Sequence, residues 1–522
     1  MNRPAEISKR YLVITTAIIA AIIMICGVMT VVVVTDPAVK YSHILSKAAM
    51  TIQKVYPDPV DWGKVSLAAR EAMVSELDPF SGYVEKEELV QYKNDLSGGY
   101  FGIGISVYPH ESGLLILDVR EGSPASSAGL LTGDIIIASD SVSLKDLSPM
   151  EAARLIKGEE NTILEAKVFR PATDDTLMFE IIRKRIEFLH IPFAGFTTDS
   201  AIYVRLLDFN AGAAGDLKKA VDSLSSKGGQ KAKGIILDLR DNPGGLLSEA
   251  GEIVELFLDE GEFIVGTSSR SRWHEEQFVA QKSGEYSDYP VVIILSRGSA
   301  SASEIVAGAL KYSGNAVLIG DTTYGKGLVQ GIVKMLDGDG IRLTISRYFF
   351  DGGKYINVFD SFDGEHAAGL PPDIPYQFED ENPFFMELER SLALLEFAHK
   401  YQDELVVSRG DQESVAIWID QLRKYAFESS FQYRSVLTQA AEEFSKEVES
   451  GSLKRLAQKA VAMAESLDTR LFEKQSAFIW MRLRQIAFER KFGTYRAYQE
   501  VVVSEFGPIL LAESLLAKKD SL

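Results

Sequence analysis

The sequence predicts a multidomain chain with an α/β core, a β-rich segment before it and an all-α C-terminal region after it. Three observations carry this. From Ile191 to Tyr348, short β-branched runs alternate with stretches of helical period, the pattern of a sheet covered by helices. From Gly98 to Arg183, short strands are punctuated by Gly, Ser and Pro turns. From Glu379 to Leu522, glycine and proline become scarce and apolar residues recur at helical spacing, as at Phe385, Leu388, Leu392 and Leu395.

Composition narrows the function. The 522 residues suffice for several domains, and 46% hydrophobic with 25% charged residues is ordinary for globular protein. Fifty-five basic against 74 acidic residues give a net charge of −19, which argues against nucleic acid as the main partner. Cys26 is the sole cysteine, so a disulfide framework, a cysteine zinc site and a thiol nucleophile in the core are excluded. The histidines His43, His110, His190, His274, His366 and His399 show no metal-ligand spacing.

At the N-terminus, Tyr11 to Thr35 carries no charge and is packed with Ile, Val and Ala. About 20 apolar residues span a bilayer. Arg3, Lys9 and Arg10 precede it against one acid, Glu6. The positive-inside rule then predicts a cytoplasmic tail over 1–10 and a single-pass transmembrane anchor over 11–35, with the bulk of the chain in the periplasm or another extracytoplasmic space. A cleaved signal peptide is the rival, but its apolar core is usually shorter and no Ala-x-Ala-like site follows Val34.

The next segment, 36–90, reads as helical, with Ile44, Leu45, Ala48, Ile52 and Val55 on one face and a break at Pro79. Residues 91–186 open with Gly98-Gly-Tyr-Phe-Gly-Ile-Gly-Ile105, where glycines alternate with aromatic and β-branched residues. Strands are expected at 114–119, 133–138, 163–169 and 177–183, with a helix over 149–157. In 187–376, strands are expected at 202–207, 234–239, 291–295, 329–334 and 341–348, and helices at 214–225, 246–258 and after Ser301. Residues 377–522 read as amphipathic helices that pack as a bundle or against a partner.

The chemistry concentrates between Pro290 and Gln330. Val291 to Leu295 is a buried-strand run, then comes a small polar elbow, Ser296-Arg-Gly-Ser-Ala-Ser301, then a helical pattern from Ala302 to Leu310. Ser301 with Glu304 three residues on is a capping-box spacing. A serine at a strand-to-helix turn sits beside unpaired helix N–H groups, which suit a developing oxyanion. A serine needs a base. Lys326, between Gly325 and Gly327, is the nearest candidate, since His274 sits in a polar loop-like stretch. It serves only if burial lowers its pKa from the usual ~10.4. The residues alone do not choose among Ser299, Ser301 and Ser303. A Ser/Ala/Gly elbow before a helix is, seen alone, more often a cap, and a Gly-Lys-Gly turn more often a solvated loop. Gly320-x-x-x-x-Gly325-Lys326 also matches a phosphate-binding loop up to its last position, where Gly327 replaces the required Ser or Thr.

The phrases Ser299-Ala-Ser301-Ala-Ser-Glu304 and Thr323-Tyr-Gly-Lys326-Gly-Leu-Val-Gln330 resemble the C-terminal processing proteases, a carboxy-terminal peptidase family with a Ser/Lys dyad. The resemblance covers roughly residues 43 to 376. It implies Ser301 as nucleophile, Lys326 as base and Gln330 as its assistant. Leu77-Asp-Pro-Phe-Ser-Gly-Tyr83 and Gly369-Leu-Pro-Pro-Asp373 are similar to phrases flanking that core. Asp238-Leu-Arg-Asp-Asn-Pro-Gly-Gly245 resembles the box that supplies an oxyanion-hole donor, which implies Gly244 or Gly245 together with Ala302. Asp238 and Arg240 read as structural ion partners. Gly122-Ser-Pro-Ala125, Ala128-Gly-Leu130 and Gly133-Asp-Ile-Ile136 resemble a PDZ domain, which implies capture of a substrate C-terminus by the loop Tyr100-Phe101-Gly102-Ile103. One departure is Phe349-Phe-Asp-Gly-Gly-Lys354, where the family has a Pro-Gly-like turn, so specificity is not carried over. The resemblance implies a serine endopeptidase that uses no metal or organic cofactor and acts on protein or peptide substrates. The helical C-terminal region is expected to serve as scaffold, or for self-association, an adaptor or gating. A peptide-binding scaffold without turnover is the alternative, and it shares every binding feature.

Overall fold

A computed structural model describes residues 17, 36–86, 88–89 and 98–518, except 121, 146, 172, 227–231, 271–274, 336–337, 357–368, 379–381, 409, 430 and 449–450. The chain divides into two compact units, Met1–Tyr83 and Val84–Leu522.

In the first unit, helix α1 (Pro37–Val55) is capped by Asp36 and α2 (Trp62–Ser75) by Asp61. The predicted membrane anchor over 11–35 lies, residue 17 apart, outside the described residues, as do residues 1–10, His274 and His366. Among the described residues no helix is long and apolar enough to cross a membrane. Helix α1 is long enough, but Lys40, Lys47 and Lys54 make it unfit for hydrocarbon. The expectation of a single-pass protein of the inner membrane facing the periplasm is corrected accordingly.

The second unit begins with a β-rich lobe. Among the described residues, strand β1 (Gly99–Gly102) pairs only with β7 (Lys184–Glu187). A second sheet runs β2 (Ile105–His110), β3 (Gly113–Val119), β4 (Ile135–Ser139), β5 (Ile163–Arg170) and β6 (Asp175–Ile182), all antiparallel, with β2 at its edge. Helices α3 (Pro124–Ala128) and α4 (Pro149–Ile156) start at Ser123 and Ser148, and each serine hydroxyl accepts a backbone N–H of the first turn. Ile103, Leu114, Ile116, Ile136, Leu164 and Val168 form the core of this lobe.

The central sheet has the order β8 (Phe193–Phe196), β9 (Ile202–Arg205), β10 (Ile235–Asp238), β13 (Val291–Leu295), β14 (Ala316–Gly320) and β18 (Ile374–Pro375). Only β8 is antiparallel to its neighbour. The inner strands are apolar on both faces, as a parallel sheet covered on both sides requires. Side chains alternate. Ile235, Leu237, Ile293 and Leu295 face a core shared with α5 (Ala213–Ser226), α6 (Leu247–Glu255) and α7 (Ala302–Tyr312). Ile236, Val292 and Ile294 face the opposite way, onto Phe488, Val502, Phe506, Ile509 and Leu516.

A separate antiparallel sheet packs against α7. Strand β16 (Gly340–Phe350) pairs with β11 (Phe263–Ser268), β15 (Leu328–Lys334) and β17 (Lys354–Tyr355), and β12 (Gln277–Val279) extends β11. The departure at Phe349–Lys354 is a tight turn over Asp351–Gly353 that leads straight into β17. A Cβ on Gly308 would lie 2.3 Å from the Phe350 ring, so α7 approaches this sheet only because that position is glycine.

The C-terminal region is helical, as expected. Helices α8 (Pro383–Arg390), α9 (Ala393–Lys400), α10 (Gln402–Val407), α11 (Gln412–Glu428) and α15 (Ser476–Phe492) bury an aromatic-rich core around Phe384, Phe397 and Phe472. Helices α12 (Val436–Glu447) and α13 (Gly451–Thr469) form a hairpin, α14 (Leu471–Lys474) joins it to α15, and α16 (Gly507–Ala517) closes the described chain. The region is both bundle and second cover of the central sheet.

Candidate active site

Ser301 stands at the break between β13 and α7, with φ 54° and ψ −111°. This is backbone an L-residue rarely adopts, at a cost of order 1–3 kcal/mol. Its neighbours enforce it. Ser296 N–H donates to Ser299 Oγ at 2.9 Å, and the Ser299 hydroxyl donates to the Leu239 carbonyl at 2.8 Å. The Ser303 hydroxyl donates to the Asn242 carbonyl at 2.8 Å. Ser299 and Ser303 are buried and committed to the main chain. Ser301 is half-buried, and among the three it alone does not donate its hydroxyl to a backbone carbonyl.

Glu304, one turn into α7, is fully buried and joins the two halves of the site. Its Oε2 accepts the N–H of Ser301 and the N–H of Lys326, each at 2.8 Å. Its Oε1 accepts the Thr323 hydroxyl at 2.5 Å and the Gly325 N–H at 2.7 Å. Burial pushes this carboxyl above its usual range, while these bonds pull the other way. With both oxygens occupied, Glu304 is an organiser rather than a base. The sequence signalled it only as a helix cap.

Lys326 lies on the loop after β14. Burial pushes its pKa below the ordinary lysine value, and the nearby positive charge of Arg342 pushes the same way, against a smaller opposing effect of Glu304. Arg342 sits on β16 opposite Ile332, and Gln330 sits opposite Thr344, so the register places Gln330 and Arg342 on one face of that ladder. Nothing in the sequence pointed to Arg342. Among the described residues no hydrogen bond joins the Ser301 hydroxyl to the Lys326 ammonium.

The glycine box after β10 abuts the serine. A Cβ on Gly244 would lie 2.8 Å from Ser301 Cβ and 2.9 Å from the Ala302 nitrogen, and one on Gly245 would lie 2.5 Å from the Phe209 carbonyl. Neither position has room for a side chain. Ala302 is the first residue of α7, where helix N–H groups lack intrahelical partners. The Gly244 N–H donates to Asn242 Oδ1 at 3.0 Å. Asn242, which the sequence reading passed over, also accepts the Ala300 N–H at 3.0 Å on its carbonyl and donates its amide to the Leu206 carbonyl at 3.0 Å. Asp238 and Arg240 form a buried ion pair at 2.8 Å.

Of the loop expected to hold a peptide end, Tyr100, Phe101 and Gly102 lie in β1, paired with Ile186, Arg185 and Lys184. Lys157 Nζ lies 4.9 Å from the Tyr100 ring centroid. Ile103 is buried in the lobe core, and its carbonyl accepts the Ala125 N–H at 2.9 Å. The sheet edge that adjoins this segment is β2, the other edge being β6, and the alternation of Ile105 and Val107 was the available signal for it. Among the described residues no group of three or more His, Cys, Asp or Glu is placed to hold a metal ion.

The profile of peptidase family S41 matches residues 200–375, and that of the PDZ domain matches 102–181. The carboxy-terminal processing protease CtpA of Bacillus subtilis (strain 168) is 32% identical over 337 residues, which cover 64% of this chain and 69% of that protein. CtpB of the same strain is 33% identical over 342 residues, covering 64% and 68%. The structure of a photosystem II D1 C-terminal processing protease aligns at 27% identity and a TM-score of 0.39, over 62% of this chain and 85% of that one. This chain is therefore a serine-type peptidase and belongs to peptidase family S41, among the carboxy-terminal processing proteases with a PDZ domain.

Proposed function

We propose that the chain is an endopeptidase that cleaves with a Ser301/Lys326 dyad and engages its substrates by their C-termini. The observation that carries this reading is the Glu304 carboxylate. One of its oxygens accepts the N–H of both Ser301 and Lys326, so nucleophile and base are referenced to a single atom. The lowered pKa of Lys326 supports a share of neutral amine at physiological pH.

In this mechanism the Lys326 side chain swings to Ser301 when substrate binds; hydrogen bonds of this kind are often long or open without substrate. Neutral Lys326 accepts the hydroxyl proton as Ser301 Oγ attacks the peptide carbonyl. The N–H of Ala302 and that of Gly244 or Gly245 hold the oxyanion. Asn242 already engages the Gly244 N–H, which favours Gly245 as the second donor. Protonated Lys326 returns its proton to the leaving amine. It then takes one from the water that hydrolyses the acyl-enzyme. Gln330 orients Lys326 from the adjoining strand. The free edge of β2 accepts an extended peptide, and the neighbouring segment Tyr100–Ile103 receives its carboxylate.

The test uses the full chain with an unstructured protein that ends in apolar residues. Cleavage is followed by mass spectrometry beside Ser301→Ala and Lys326→Ala. Loss of cleavage in both variants, with peptide binding retained, is the expected outcome. Intact hydrolysis in either variant would sink the dyad.

A further inference from the structure

Three features around strand β10 point beyond the dyad. The first is the alternation of the strand. Ile235, Leu237 and Leu239 face the α7 side, while Ile236, Asp238 and Arg240 fall on the face covered by the C-terminal helices. The second is a buried polar cluster on that face. The Asp238 carboxylate accepts Arg205 Nη1 at 2.6 Å, the Tyr203 hydroxyl at 2.8 Å and Arg240 Nη2 at 2.8 Å. Burial alone would raise its pKa, but the two guanidinium groups hold it well below the usual carboxylate range. The Arg240 guanidinium lies 4.0 Å from the ring centroid of Phe506, the residue before α16, and 5.5 Å from that of Phe378.

The third feature is the strained turn just past Arg240. Asp241 is held at φ 56°, a left-handed conformation that costs free energy for a residue with a side chain. Its far side is pinned by Ser296, whose Oγ accepts the Asp241 N–H at 2.9 Å and donates to Asp241 Oδ1 at 2.8 Å. Asn242 then ties Ala300, Ser303 and Gly244 together around Ser301. A strained residue persists only while both flanks are fixed. Arg240 is the upstream flank, and Phe506 closes over it.

We propose that Phe506 and Arg240 act as a positioning pair for the oxyanion loop, so that the C-terminal helical region takes part in catalysis without touching substrate. The inference rests on the reading of Ser301 as nucleophile and of the glycine box as oxyanion donor. It requires that disturbing the pair lower kcat and leave KM and peptide affinity alone, because the oxyanion forms only in the transition state.

The test compares Phe506→Leu, Phe506→Trp and Arg240→Lys in the full chain, at a temperature where thermal melts show each one folded. Steady-state kinetics use one defined peptide. Affinity for that peptide is measured by fluorescence anisotropy, each substitution being combined with Ser301→Ala. Leucine keeps the bulk and removes the ring face, so kcat should fall about tenfold, or roughly 1.4 kcal/mol of barrier, with KM and Kd within twofold. Tryptophan, with a stronger ring face, should restore kcat to within twofold. Arg240→Lys should fall as leucine does, since an ammonium cannot make the bidentate contact. Equal kcat in folded Phe506→Leu and in the parent, or a change confined to KM, overturns the proposal. If Ser301→Ala meanwhile abolishes cleavage, the dyad stands and only this inference fails. If Ser301→Ala still cleaves, the dyad itself has failed.

Discussion

The phrase that holds Ser301 stood out in the letters and Arg342 did not, and the contrast shows what a sequence carries. The Ser-Ala-Ser-Glu phrase and Gly-Lys-Gly turn are contiguous, so their resemblance could be seen in the letters alone. Arg342 reaches Lys326 only through the pairing of β15 with β16, and its effect is a field rather than a contact pattern. Arg342→Gln removes a positive charge from beside Lys326, so the lysine pKa should rise. With Lys326 as the proposed base, activity grows as pH climbs through that pKa, because the amine must be neutral to accept a proton. The acid limb of a kcat/KM–pH profile should therefore move to higher pH, and an unmoved or lowered limb would contradict the assignment. Glu304 is a second residue whose weight was hidden behind a helix cap. Glu304→Gln turns an NH2 group toward backbone N–H donors that now share the carboxylate. It should cost about 1–3 kcal/mol of stability by denaturant titration, with a larger loss in kcat than in KM.

At the scale of elements the sequence was most legible where one rule governed. The runs at 291–295 and 235–237 are apolar on both faces and flanked on one side by serine or glycine, and both lie in inner strands of the parallel sheet. The strands at 263–268 and 277–279 were not anticipated. Their burial is supplied by β16 and by register, and Gly266, Thr267 and Ser268 dilute the apolar pattern that would announce a strand. The glycine at 234 carries a similar lesson. It reads as a turn before a strand, yet a Cβ there would lie 2.6 Å from Leu516 Cδ2 and 2.7 Å from the Pro290 carbonyl. Its smallness lets α16 seat against the sheet. Gly234→Ala should lower stability by roughly 1–3 kcal/mol in urea unfolding, by forcing α16 outward. Alanine that leaves the midpoint untouched would mean that α16 is seated by something else.

For the whole molecule, the central sheet is finished by a part of the chain to which neither the Ser/Lys resemblance nor the S41 profile extends. The helical character of residues 377–522 was evident from periodicity, but what its last helix covers was not. Helix α16 is apolar around most of its circumference, which signals burial without naming a partner. Truncation before Pro383 would expose Ile236, Val292, Ile294 and Ile319 together with the Asp238–Arg240 pair. The shortened chain should lack a cooperative thermal transition and bind a hydrophobic dye. A soluble, cooperatively melting fragment would show that the sheet tolerates a bare face.

The placement of Phe506 and α16 also has a meaning in time. A ribosome delivers Ser301 and Lys326 long before it delivers residue 506. Until then the nascent polypeptide holds both members of the proposed dyad on a sheet that lacks one of its covers. On the proposed role of Phe506, chains arrested at successive lengths should stay inert toward a reporter peptide until α16 has cleared the exit tunnel.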